Sequence, residues 1–272
     1  VTTPALVLVA HGTRSTKGVQ MIASLAEAVA RELGAPTESG AGAVFGAASA
    51  PLPSTFDAGA ARGGRPPLGV IPPRVRTAFV DVLGPSPAEV LRDLDSVPAV
   101  VVPAFLASGY HVYQDVPREV AASEHAAVAV THAMGPDPAL AAITRMRLRA
   151  AGWRPGDAVV FAAAGSSDRR ARADVRRATG LLADQIGGSV RLAYIATGEP
   201  RVPEVVAQAR ESGARRVFIA SYLLAHGLFH ERLHACGADG VAEPIGVHPA
   251  VVRLIADRYR TAARALTTAG VG

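Results

Sequence analysis

Two histidines and an aspartate, His11, Asp81 and His111, are the residues of this chain best suited to chemistry. Each follows a short apolar run (LVLVA, TAFV and VVVPAFLASGY) with the composition of a buried parallel strand. In open α/β sheets ligands bind beyond the carboxyl ends of the strands, so these side chains converge on one crevice if the runs share a sheet. Two neutral imidazoles and a carboxylate suit a borderline divalent metal such as Fe, Co, Ni or Zn, with positions left open for a substrate. The same groups can accept protons, because imidazole titrates near neutrality, at roughly pH 6.5. Plainer roles exist for each: a strand-end histidine can be a hydrogen-bonded structural residue, and Asp81 can cap the turn before Gly84 and Pro85.

The elements that must position these residues occur twice. Pro4 to Gly34 reads like Asp157 to Gly188, and setting Gly12 on Gly165 gives an offset of 153 that places His11 opposite Ala164. VRTAFVDVLGPSPAEVL from Val75 matches VRLAYIATGEPRVPEVV from Val190, which places Asp81 opposite Ala196. AFLASGYHVYQD matches YLLAHGLFHERL with Gly109 on Gly227, which places His111 opposite Phe229. Three polar candidates in one copy therefore face three apolar residues in the other, and the asymmetry predicts one site per chain.

Apolar runs alternating with helical patterns predict parallel sheets wrapped by helices. Strands are expected at Leu6–Ala10, Val75–Asp81, Ala99–Phe105 and Ala127–Thr131, and again at Ala158–Ala163, Val190–Ala196, Arg216–Tyr222 and Gly240–Pro244. Helices are expected at Ser15–Leu33, Pro87–Leu94, Asp115–His125 and Pro138–Ala150, then at Arg169–Ile186, Val202–Ser212, Phe229–Ala235 and Pro249–Leu266. The reading is an α/β chain of two tandem similar domains, residues 1–152 and 153–272, each a small parallel sheet flanked by helices in the flavodoxin-like manner, with a cleft between them. The last helix of each half opens on a proline, and the two could be exchanged between halves. The offset falls from 153 at Gly12 to 115 at Val75, so the first half carries an insert over about 36–74. Its Gly/Pro/Ala/Ser composition reads as a flexible loop, with a lid over the site as the alternative.

Composition narrows the partners. A length of 272 residues with 49% hydrophobic content supports a substantial core. A net charge of +5, without a dense Arg/Lys stripe among aromatics, argues against nucleic acid and suits an anionic small molecule. Cys236 is alone, which excludes an intrachain disulfide and a thiolate cluster and points to a reducing, cytoplasmic setting. The start VTTPALVLVAHG lacks a basic leader, and the uncharged stretch Val97–Gln114 contains Pro98, Pro103, Gly109 and His111, so neither a signal peptide nor a membrane span is expected. The protein is expected to act as a monomer.

VLVAHGTR at 7–14, AFVDV at 78–82 and VVVPAFLASGYHVYQDVP at 100–117 resemble the sirohydrochlorin chelatases, class II chelatases that insert a divalent metal into sirohydrochlorin on the way to siroheme or cobalamin. The resemblance covers both halves apart from the insert and is similar to the long bacterial form with a degenerate second half. Family members use two histidines and an acidic residue, often Glu, at these places; Asp81 is a shorter carboxylate. The resemblance implies that His11 and His111, helped by Asp81, bind the incoming metal (Fe2+ favoured, Co2+ possible) and accept the two pyrrole N–H protons. It requires no organic cofactor. The polycarboxylate macrocycle would be held by guanidinium groups. Arg14 and Arg118 come first, then Arg169, Arg170 and Arg172 at a helix start, with Tyr110 beside His111.

Other histidines have weaker cases. His226, His230 and His234 are spaced by four and would share a helix face. Gly227 interrupts that helix, and the first-half counterparts of His226 and His230 are Ser108 and Val112, so the three are read as surface residues, with metal delivery as the alternative. His125, His132 and His248 are weaker candidates still, although His132 follows a strand. Two rival functions remain. A non-catalytic metal carrier would use the same pair, and LVAHGTR superficially resembles the RHG motif of histidine phosphatases, except that Ala10 replaces the arginine. No G-x-G-x-x-G or G-x-x-x-x-G-K-[ST] motif follows an expected strand, which disfavours nucleotide binding.

Overall fold

A computed structural model describes residues 2–35 and 71–269. The expected insert over 36–74 therefore lies outside the described residues except at its end. Two four-stranded parallel sheets form the framework, β1 (Ala5–Ala10), β2 (Val75–Phe79), β3 (Ala99–Pro103) and β4 (Val128–Val130) in the order 2-1-3-4, and β5 (Ala158–Gly165), β6 (Val190–Thr197), β7 (Val217–Tyr222) and β8 (Gly240–Val241) in the order 6-5-7-8. Parallel pairing needs a crossover between strands. Helices supply it: α1 (Thr16–Glu32), α2 (Pro87–Asp93) and α3 (Val116–Ser123) in the first half, and α5 (Arg169–Ile186), α6 (Val202–Glu211) and α7 (Leu228–Leu233) in the second.

Strand registers reproduce the repeat. Leu6 pairs with Val75 and Val159 with Val190, while Ala5 pairs with Ala99 and Ala158 with Val217. One difference appears at the strand ends. β6 bulges between its partners Ala163 and Gly165, so Gly165 lies against Thr197 whereas Gly12 lies against Asp81. The structural counterpart of Asp81 is therefore Thr197, one residue beyond the Ala196 that ungapped alignment selects.

Alternation along the central strands divides the interior into layers. Leu6 and Leu8 of β1 share a core with Phe161 of β5 and Phe218 of β7, so the two sheets bury their inner faces in one continuous cluster. Ala5, Val7 and Val9 face the other way, under Val90 and Leu91 of α2 and Val116 of α3. Val160, Ala162 and Ile219 do the same under Val202 and Val205 of α6 and Leu233 of α7.

The last helix of each half crosses over. Helix α4 (Pro138–Ala150), capped by the Asp137 carboxylate accepting from the Ala139 N–H, packs on α5 and β7 of the second sheet. Helix α8 (Pro249–Ala269) packs on α1, β3 and β4 of the first. Tyr259 on α8 donates to the Pro4 carbonyl at 2.6 Å, and burial pushes its phenol up to about 12, so the donor proton stays in place. Arg258 donates to the Met134 carbonyl at 3.0 Å and Arg147 of α4 to the Ile245 carbonyl at 3.3 Å. This exchange fixes the relation of the sheets, and with it the width of the cleft. Among the described residues no helix is long and apolar enough to cross a membrane.

Candidate functional site

The carboxyl ends of both sheets open on one cleft of about 580 Å³, within the size range of small-molecule pockets. His11, at the end of β1, and His111, after β3, line its first-half wall with ring centroids 4.4 Å apart, edge to face. Ala164, Ala196 and Phe229 line the opposite wall, joined by Thr197. Asp81 follows β2 and places Oδ2 4.0 Å from His11 Nδ1, while its Oδ1 accepts from the Val82 N–H at 2.8 Å. It approaches His11 from outside the cleft lining.

His111 opens a single π-helical turn, His111–Asp115, that leads into α3. That turn brings Asp115 back onto the ring. His111 Nδ1 lies 2.6 Å from Asp115 Oδ2, and Arg118 bonds the other carboxylate oxygen at 2.9 Å. Asp115 is buried, and a carboxylate can only accept here, so Nδ1 carries the proton and Nε2 keeps a free lone pair. Sequence reasoning missed Asp115. The signal was present as His-x-x-x-Asp across a helix start, and its counterpart at the third-segment offset is the fully buried Leu233.

The remaining candidates separate. Tyr110 lines the cleft, exposed, with its ring 6.1 Å from that of His111. Arg172 also lines it. Arg14 and Arg169 lie outside the lining, Arg118 is engaged with Asp115, and Arg170 lies over the Tyr113 ring at 4.4 Å. Tyr222, buried at the cleft floor, donates to the Leu106 carbonyl at 2.9 Å, and the Asp174 carboxylate accepts from the Ser108 N–H at 2.9 Å. These bonds tie the loop carrying His111 to the second half.

The histidines of the second half do not all lie on the surface. His230 is 4% exposed, because α7 begins at Leu228 and turns it inward, where its Nε2 meets the Ala242 carbonyl at 3.2 Å. Burial lowers its pKa and keeps the ring neutral. His226 and His234 remain exposed.

Replacing Asp115 by Asn keeps the shape and removes the charge behind His111. Outer-shell carboxylates of this kind are worth about 10- to 100-fold in metal affinity or activity. We expect Asp115→Asn to weaken Co2+ binding by that factor in a titration with the purified protein, with Asp115→Glu recovering part of it; unchanged affinity would remove Asp115 from the site.

A model of the CbiX family matches residues 70–151 and 158–262. Among solved structures, SirB from Bacillus subtilis with Fe3+ is 20% identical with a TM-score of 0.72, and the match covers 96% of both chains. The sirohydrochlorin chelatase SirB from Bacillus subtilis subspecies spizizenii in complex with cobalt is 20% identical with a TM-score of 0.66 and the same coverage. CbiX, described as the terminal enzyme for biosynthesis of siroheme in denitrifying bacteria, is 21% identical with a TM-score of 0.62, covering 95% of this chain and 99% of that one. At these identities the likeness establishes the fold. No curated protein matches.

Proposed function

Since the chain belongs to the CbiX family, we propose that it is a sirohydrochlorin chelatase, inserting a divalent metal into sirohydrochlorin in siroheme or cobalamin synthesis, with Fe2+ the favoured metal and Co2+ the alternative. One observation carries this reading: two histidines stand 4.4 Å apart on one wall of a cleft whose other wall is apolar at the matching places. On this reading the protein is a cytoplasmic monomer, and the macrocycle lies between the walls with its face to the pair.

The chemistry follows from what each group can hold. The incoming ion is taken by the free lone pair of His111 Nε2 and by His11, with the Asp81 carboxylate next to His11 balancing charge. Insertion forms the metal–nitrogen bonds as the two pyrrole N–H protons leave. As the metal passes to the ring, the vacated imidazoles accept those protons. The imidazolium formed at His111 faces the buried Asp115 carboxylate, and Arg118 holds that carboxylate in place. Beside His11 stands the exposed Asp81 carboxylate, 4.0 Å from its Nδ1.

Binding of the anionic rim falls to basic and aromatic groups at the cleft, Arg172 and Tyr110 on the lining and Arg14, Arg118 and Arg169 further out. A charge-assisted contact is worth about 1.5–3 kcal/mol, so Arg172→Ala should raise the KM for sirohydrochlorin by about 10-fold or more while kcat changes little. A fall in kcat at unchanged KM would place Arg172 in the chemistry instead.

The reading is tested anaerobically, by following the absorbance of sirohydrochlorin with Fe2+ and then Co2+. The purified protein should accelerate the change above the spontaneous rate. Metal binding without acceleration would make the protein a carrier.

A further inference from the structure

A second cluster of side chains able to hold a metal stands beside the same cleft, next to its lining residues Ala225 and Phe229. His226, His230 and Glu243 each offer a ligand atom, all lying within 4.8 Å of one another. His226 Nε2 is 3.0 Å from Glu243 Oε2, a contact in which an ion would replace the shared proton, and the His226 and His230 rings meet edge to face at 5.0 Å. Ligands about 2.0–2.2 Å from a tetrahedral ion are about 3.4 Å apart, so small side-chain rotations close the set around one ion. The Ala242 carbonyl can only accept, so it fixes the proton of the neutral His230 ring on Nε2 and leaves Nδ1 as the free lone pair. That is the outer-sphere arrangement that orients a histidine ligand. His226 and Glu243 are half exposed, which leaves the remaining positions open to water or to a second acceptor.

The location gives the cluster its use. His226 and Gly227 sit in the β7–α7 loop, which packs on the loop carrying His11 and on the first turn of α1: a Cβ on Gly227 would come 3.7 Å from Thr13 Oγ1, and one on Gly18 of α1 would come 3.1 Å from the His226 carbonyl. Thr13, Gly18, Ala225 and Phe229 all line the cleft. We propose that His226, His230 and Glu243 form a second divalent-metal site, distinct from His11 and His111, that holds the ion beside the cleft before insertion. Its loading role rests on the chelatase reading; its binding of metal does not. Two imidazoles and a carboxylate take Fe2+, Co2+, Ni2+ or Zn2+, the same range as the insertion pair.

Co2+ alone, titrated into untagged full-length protein by equilibrium dialysis and visible absorption, separates the two sites. The wild type should bind two ions per chain and the His11→Ala/His111→Ala double variant one. Adding His226→Ala and Glu243→Gln, both at exposed positions, should remove that remaining ion. In the otherwise wild-type protein the same pair of substitutions should raise the apparent KM for metal about 10-fold. The proposal is overturned if the His11→Ala/His111→Ala protein binds no Co2+, or if these substitutions leave its binding unchanged. Two bound ions with no insertion by the wild type would leave the second site standing and defeat the chelatase reading alone.

Discussion

His11→Ala and His111→Ala should each lower the rate of metal insertion into sirohydrochlorin by at least about 100-fold, the low end of what a positioned acid–base group contributes. On the proposed mechanism each imidazole holds the metal and then accepts a proton, so truncation removes two roles in one side chain. The ring centroids are 4.4 Å apart and, on the proposed mechanism, both act on one ion, so the double variant should be little worse than either single one. The loss should appear in kcat, because neither ring is needed to hold the anionic rim of the macrocycle. Single-turnover absorbance kinetics under anaerobic conditions read this directly. Full activity in either single variant would remove that histidine from the mechanism.

Gly12→Ala should damage stability and activity together. Gly12 has φ +95°, in the region that side-chain-bearing residues avoid, and a Cβ there would lie 2.0 Å from the Asp81 carbonyl oxygen. Relief requires the loop after β1 to part from the turn after β2, breaking the Asp81 N–H to His11 carbonyl bond of 3.0 Å and displacing both side chains. Backbone strain of this kind costs about 1–3 kcal/mol, which lowers Tm by several degrees in a chain of this size. Gly165→Ala is the matched comparison. Its φ is also +95° and its Cβ would lie 1.8 Å from the Thr197 carbonyl oxygen, yet no histidine adjoins it. Gly165→Ala should therefore cost similar stability and less activity. Equal losses of activity would mean that the damage is global.

Much of this architecture was legible because it is written twice. Apolar runs alternating with helical patterns, reinforced by the repeat, placed the eight strands and eight α-helices found among the described residues, and α4 and α5 begin and end where the pattern predicts. Short range was the limit. Strands β2, β3 and β8 end before their apolar runs do, although Val80, Ala104 and Ala242 still donate to the Ala10, Val9 and Ile219 carbonyls at 3.1, 2.7 and 2.8 Å. The π-helical turn at His111 was invisible to a helical period, and with it the bond to Asp115. The shift from Ala196 to Thr197 arises from a bulge, which no ungapped alignment records. His230 was misplaced on the surface because a polar residue's burial depends on a distant partner, here the Ala242 carbonyl. The exchange of α4 and α8 was an open alternative that only tertiary contacts decide.

The division of labour between the wall armed with His11 and His111 and the wall that carries Ala164 and Phe229 in their places is tested most directly on the His11→Ala/His111→Ala double variant. Its equilibrium binding of metal-free sirohydrochlorin should be measured beside its single-turnover insertion of Fe2+. Binding within about 3-fold of the wild type with insertion reduced to the spontaneous rate is the predicted result, since about 0.7 kcal/mol or less separates the two affinities. Insertion that persists in the double variant, or that disappears only together with macrocycle binding, would contradict it.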